Sequence, residues 1–107
     1  MEFVIRTTAE NFLNDMEAQY GPKFLADILE RIDHYARLGR QRLHQEGLLT
    51  FLPCKERVLK LKFRGKPLIY LCGRFEGEIF VVSHGIVKNY DGTLRRRDIE
   101  LAIIRTR

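Results

Sequence analysis

Leu59-Lys60-Leu61-Lys62-Phe63-Arg64 is the stretch that decides the fold. Apolar and cationic residues alternate, and successive side chains on a strand point to opposite faces. The segment predicts a half-buried strand, with Leu59, Leu61 and Phe63 in a core and Lys60, Lys62 and Arg64 on a cationic outer face. Gly65 marks a turn. Leu68–Phe75 reads as a second strand, Glu76-Gly77 as a hairpin turn and Glu78–His84 as a third strand. The last two are apolar on both faces, as central strands are. Three consecutive strands joined by short turns form an antiparallel meander.

Upstream the period becomes helical. Residues 2–6 read as a short strand, and Thr7-Thr8-Ala9-Glu10 offers a capping box with Thr7 as N-cap. Phe12, Leu13, Met16 and Tyr20 then predict a helix from about Thr8 to Tyr20. Gly21-Pro22 ends it and starts another, because proline suits the first helical position. Phe24, Leu25, Ile28, Leu29, Ile32, Tyr35 and Ala36 form that helix's apolar stripe, closed by Gly39. Arg40–Glu46 reads equally as a helical extension or a polar loop, and Leu48–Leu52 is expected to fold back onto the core. Asp91-Gly92-Thr93 breaks the chain again, and Ile99, Ala102 and Ile103 define a final short helix. The order β-α-α-β-β-β-α predicts an α+β fold in one domain over residues 1–107. A helical hairpin would cover one face of a four-stranded sheet that the first strand completes.

With 107 residues, 45% hydrophobic and 31% charged, the chain has an ordinary globular composition that excludes wholesale disorder. No apolar run approaches the ~20 residues of a membrane span. The start, MEFVIRTTAENF, carries an early acid and no apolar signal region, so a soluble cytoplasmic protein without membrane contact is expected. Cys54 and Cys72 form no CxxC pair and read as reduced thiols. Together with His84 they match no known zinc spacing, and no metal or other cofactor is expected.

The charge is uneven. Residues 1–53 carry 6 Lys/Arg against 8 Asp/Glu, whereas residues 54–107 carry 13 against 6, so the net +5 arises wholly in the second half. A basic face suits nucleic acid or an acidic partner, and equally suits a solubilising surface. Lys60, Lys62 and Arg64 project from one strand face, with Lys66 following in the turn. Like charges so spaced repel one another unless an anion lies among them, although lysines also protect edge strands from aggregation. Arg95-Arg96-Arg97 opens the last helix, where the macrodipole disfavours cations, unless Asp91, Asp98 or Glu100 pairs with them. Tyr70 reads as core or site. Tyr90 sits where it can stack on a base. His84 ends the third predicted strand as a structural residue or an acid–base group.

Taken together, the blocks from Leu59 onward resemble the phage-derived RelE/HigB-like toxins of the RelE/ParE superfamily. Leu59-Lys60-Leu61-Lys62-Phe63 is similar to their "ELR" strand, and Pro67-Leu68-Ile69-Tyr70-Leu71 to the "YRvfY" strand. Ile79–Asn89 resembles "ivLLhgFvKK", and Arg97–Arg105 resembles the "rEIexAxxR" helix. The resemblance implies the β-α-α-β-β-β-α fold and a ribosome-dependent mRNA endonuclease in which a ribose 2′-OH attacks its own phosphate. It also implies a cognate antitoxin, with a helix-turn-helix DNA-binding domain, that silences the enzyme. Carried over by position, Lys62 stands for the arginine of "ELR", Tyr70 for the second strand's tyrosine, Lys88 for the first lysine of "KK" and His84 for the "h". These four are the catalytic candidates. Lys60, Arg64, Lys66, Tyr90, Arg95, Arg96 and Arg97 are the RNA-binding candidates. Lys60 replaces a glutamate, Pro67 an arginine, Ile86 a phenylalanine and Asn89 the second lysine. No carboxylate remains at these positions, so a general base must be His84, a tyrosine or a lysine of depressed pKa. Two other classes fit the fold: a non-catalytic gyrase poison of the ParE kind, and a diverged phage accessory binding protein.

Overall fold

The computed structural model describes residues 1–88 and 94–107. The chain runs through β1 (Glu2–Ile5), α1 (Thr7–Tyr20), α2 (Pro22–Leu38), α3 (Arg40–Gln45), β2 (Leu49–Phe51), β3 (Leu59–Phe63), β4 (Leu68–Glu76), β5 (Ile79–Lys88) and α4 (Arg96–Thr106). The result is an α+β fold on a mixed five-stranded sheet of order β1-β5-β4-β3-β2. The meander β3-β4-β5 is antiparallel, as its short turns require. β1 lies parallel to β5, so the helices carry the chain from one sheet edge to the other before it re-enters at β2. No helix among the described residues is long and apolar enough to cross a membrane.

Several expectations need correcting. The sheet has a fifth strand, β2, which pairs antiparallel with β3 from Leu49↔Leu61 to Phe51↔Leu59. Three residues are too few for a period to show. Arg40–Gln45 is helical but separate from α2, because Gly39 sits at φ 85° between them, in the region glycine enters without cost. The capping box does not form. Arg6 is the N-cap of α1, without a side-chain cap, and Thr8 instead donates its hydroxyl proton to the Ser83 carbonyl, tying α1 to β5.

The helical hairpin covers one sheet face. Leu13, Met16, Ile28, Ile32 and Tyr35 meet Leu59, Leu61, Phe63, Ile69, Leu71, Phe80 and Val82, all buried. Each such large apolar side chain contributes about 1.5–3 kcal/mol. Leu61 is fully buried while Lys60 is half-buried on the other face, so the predicted register of β3 holds. Tyr35 reinforces it by donating its hydroxyl to the Lys62 carbonyl at 2.9 Å.

The other face is not the open cationic surface that alternation suggests. α4 packs on β5 and β4 there, building a second apolar cluster of Leu52, Val58, Tyr70, Cys72, Ile86 and Ala102. β5 extends beyond His84 to Lys88 and carries a bulge. Cys72 pairs with His84 but Gly73 pairs with Val82, which leaves Ser83 as the extra residue. A bulge shifts the side-chain alternation by one. Phe80 and Val82 therefore face the hairpin, whereas Ile86 joins the α4 side and Gly85 turns toward Phe12.

Two glycines make this possible. A Cβ on Gly73 would stand 1.8 Å from the Val81 carbonyl oxygen, and one on Gly85 would stand 2.1 Å from the Phe12 ring. Gly85→Ala is expected to cost about 1–3 kcal/mol by overpacking. Adding Phe12→Leu should recover part of that loss, whereas no single side-chain truncation rescues Gly73→Ala, whose clash is with backbone. Urea denaturation midpoints of the four proteins check this, and full recovery of Gly73→Ala by Phe12→Leu would refute the packing described.

Candidate nucleic-acid interface

The pairing of β3 with β4 fixes the centre of the site. Lys62 pairs with Tyr70, which pairs in turn with Ile86, and Lys60 pairs with Cys72, which pairs with His84. Lys88 closes β5 opposite Leu68. The shift in alternation at Ser83 is what brings Lys88 onto the same face as the β3 lysines. Lys60 Nζ lies 5.0 Å and Lys88 Nζ 5.5 Å from the centre of the Tyr70 ring. Tyr70 is itself buried, 5% exposed. Each ammonium over the ring gains about 0.5–2 kcal/mol from its quadrupole, which offsets part of the repulsion between the cations. Lys60, Lys62 and Lys88 are half-buried, so their positive field acts in partly desolvated surroundings, where it is stronger than in water. The chemistry of such a cluster suits an anion of phosphate type.

Around it lie further cations. Arg64 and Lys66 are exposed at and beyond the end of β3. Arg31 steadies that turn, its guanidinium donating to the Arg64 carbonyl at 2.6 Å and lying 5.9 Å from the Phe63 ring. Arg95 is the N-cap of α4, and Arg96 and Arg97 follow, all exposed. Arg96 is paired with Glu100 one turn on, at 3.1 Å, and Asp98 places an acid in the same first turn. The unfavourable charge at that helix end is thereby partly offset. Tyr90, with Asn89 and Asp91, lies outside the described residues.

His84 is placed otherwise than a proton carrier in an open site. It is 4% exposed beneath α4. Arg105 donates from its guanidinium to Nδ1 at 2.9 Å, so the ring proton resides on Nε2. That Nε2 is buried and has no hydrogen-bond partner among the described residues. Burial, and then the Arg105 charge, hold the imidazole down at a pKa of about 4, so near pH 7 it is neutral. In this arrangement it does not meet an anion held by the lysines. Beside it, the Ser83 and Thr106 hydroxyls lie 2.5 Å apart, and Thr106 donates to the Ala102 carbonyl. Arg105, Thr106 and Ser83 escape a reading by chemistry alone. Thr106 had a signal, since it continues the Ile99–Ala102–Ile103 stripe.

The remaining nucleophiles are quiet. Cys72 is fully buried and its thiol is pushed up to about 12 by desolvation. Cys54 Sγ donates to the Glu56 carbonyl at 3.2 Å. Among the described residues no group of three or more His, Cys, Asp or Glu could hold a metal ion. No family model, no curated protein and no solved structure matches this chain.

The His84 environment has a consequence for stability. Its folded pKa of about 4 lies below the unfolded 6.5, so between those values the unfolded chain binds more protons. Stability is therefore full above about pH 6.5 and falls as pH drops toward 4, by up to about 3 kcal/mol from this group. His84→Asn, which retains an acceptor for Arg105, should flatten the difference in urea midpoint between pH 7.5 and pH 4.5. An unchanged difference would mean that His84 is not shielded by α4.

Proposed function

We propose that this chain is the toxin of a toxin–antitoxin pair, an mRNA endonuclease acting at the ribosome in the cytoplasm on a RelE/ParE-like fold. A cognate antitoxin, with its own helix-turn-helix domain, would silence it. The observation that supports this most directly is the set of three lysines, drawn from β3 and β5, gathered around Tyr70. The resemblance of Leu59–Arg105 to the RelE/HigB-like toxins supplies the reaction class. In that reaction the ribose 2′-oxygen bonds to its neighbouring phosphorus and the P–O5′ bond breaks. The 2′ proton passes to a base, and the leaving 5′-oxygen takes a proton. The products are a 2′,3′-cyclic phosphate and a 5′-hydroxyl. Lys60, Lys62 and Lys88 would stabilise the negative charge that builds on the phosphorane. Tyr70 and His84 are the groups assigned to proton movement.

A second reading is favoured by one observation, the burial of His84 beneath α4. It holds that the fold binds without cutting, as a ParE-like gyrase poison or a phage accessory protein. Induced expression separates the readings. The endonuclease should arrest growth and leave mRNA cut within codons, as read by primer extension. Lys62→Ala should lower cleavage about 100-fold. Arrest with intact mRNA and accumulating DNA breaks would point to gyrase, and no arrest would leave the accessory protein.

Binding is tested separately. Alanine at Lys60, Lys62 and Arg64 together should weaken affinity for a single-stranded oligoribonucleotide. The slope of log K against log salt should flatten by about 0.7 for each phosphate no longer neutralised. A slope equal to wild type would reduce these residues to solvated surface.

A further inference from the structure

β2 ends the sheet on one side, and the ladder uses only its inner edge. Leu52 donates its N–H to the Val58 carbonyl, and Lys62 donates its N–H to the Leu48 carbonyl. In an antiparallel ladder, residues bonded to the partner strand alternate with residues whose N–H and C=O point away. In the register Leu49↔Leu61, Thr50↔Lys60 and Phe51↔Leu59, it is Leu48, Thr50 and Leu52 that bond toward β3. Leu49 and Phe51 therefore turn their N–H and C=O groups outward. They stand two residues apart, the repeat with which one added strand pairs. No loop or side chain among the described residues bonds to these groups.

The side chains of this edge are open as well. Phe51 is 55% exposed, although Leu59 across the ladder from it is buried. Thr50 is exposed on the opposite face, beside Lys60. Native edges are commonly shielded by lysine, proline or a bulge, and Leu49-Thr50-Phe51 holds none of these. Its shortness limits uncontrolled pairing but leaves room for one short partner strand.

Charge selects that partner. Lys60 and Lys62 stand on the adjoining strand, and Lys55 and Arg57 are exposed in the connection from β2 to β3. The acids that flank β2 in sequence, Glu46 and Glu56, are paired with Arg42 and Arg107. Four cations beside two neutralised acids attract an acidic chain and repel a second copy of this one. We infer that the outer edge of β2 is a docking edge, to which an extended acidic segment of a partner protein adds as a further strand. Its backbone pairs with Leu49 and Phe51. An apolar residue covers the Phe51 ring on the hairpin side, and acidic residues alternate with it on the side of Thr50 and the β3 lysines. The inference goes beyond the endonuclease reading and does not rest on it.

Amide hydrogen exchange, read by NMR on the full chain, tests the edge directly. In the free protein the Leu49 and Phe51 amides should exchange at least about tenfold faster than that of Thr50, which is bonded to β3. A short end-blocked peptide alternating valine and glutamate should slow both amides at least about tenfold and leave Thr50 unchanged. The same peptide with lysine for glutamate should slow neither. Phe51→Pro removes an outward N–H but no bond to β3, and should abolish the effect. Phe51→Ala, which keeps the N–H, should weaken peptide affinity about tenfold.

No slowing by either peptide overturns the docking edge, and equal slowing by both overturns the acidic partner. Leu49 and Phe51 amides already slow in the free chain overturn it too, in favour of a second copy if the slowing grows with protein concentration. Slowing by an oligoribonucleotide but not by the acidic peptide assigns the edge to nucleic acid and overturns the inference. None of these readouts involves mRNA cleavage, so the docking edge and the endonuclease reading stand or fall separately.

Discussion

A single extra residue in β5 governs which side chains share a face. Ser83 bulges between the Gly73–Val82 and Cys72–His84 pairs, so the strand exchanges its inward and outward sides at that point. Before the bulge, Phe80 and Val82 anchor the helical hairpin. After it, Ile86 lies in the second core and Lys88 stands over Tyr70. Unbroken alternation would have directed Ile86 and Lys88 under α1, where a lysine has no place. The bulge itself requires Gly73, because the Val81 carbonyl occupies the position of a side chain. It is also braced from both sides of the sheet. Thr8 donates to the Ser83 carbonyl from α1, and Thr106 meets the Ser83 hydroxyl from α4.

The electrostatic pattern follows from that geometry. Three ammonium groups on β3 and β5, the two strands that flank β4, repel one another, and proteins that only need protected edges place such lysines outward in water. Here they are half-buried, and two of them lean on a tyrosine ring that belongs to the second apolar cluster. An ammonium resting on an aromatic face is attracted by the ring quadrupole, which offsets part of that repulsion. Arg31 serves the neighbouring turn differently. Its planar guanidinium fixes the Arg64 carbonyl while lying near Phe63, and so holds the backbone from which Arg64 and Lys66 project.

Much of this was legible in the sequence where one period ran unbroken. The Lys60/Lys62 register and the α1–α2 hairpin are periodic patterns, and the structure reproduces both. β2 was not legible as a strand, because Leu49–Phe51 is too short to show alternation. Arg40–Gln45 is ambiguous as sequence, since Leu43 alone anchors it to the core. The surroundings of His84 were hidden for a different reason. Phe80-Val81-Val82-Ser83 is apolar or small throughout, so nothing in it marks where the face changes. Gly73 and Gly85 were the only local signs, and a glycine in a strand announces a close approach without saying of what. The last helix was readable as a helix, but its stripe does not specify which sheet face receives it. Placing it on the lysine side converts His84 from a candidate in the open to a buried group.

That placement also explains why the two sides of the sheet differ in character. The hairpin side is dry and large, and its buried tyrosine has a satisfied hydroxyl in the bond to the Lys62 carbonyl. The α4 side mixes an apolar cluster with hydroxyls, a guanidinium and an imidazole of which one nitrogen has no partner among the described residues. A core of the first kind specifies the fold, since its buried groups have their partners or need none. A seat of the second kind adds less stability per residue, because each polar contact replaces one available from water. α4 nevertheless closes over Tyr70, Cys72 and Ile86, so it helps to hold the ring on which Lys60 and Lys88 rest. The sheet face that carries the lysines is thus completed by α4, which also lies over the His84 imidazole.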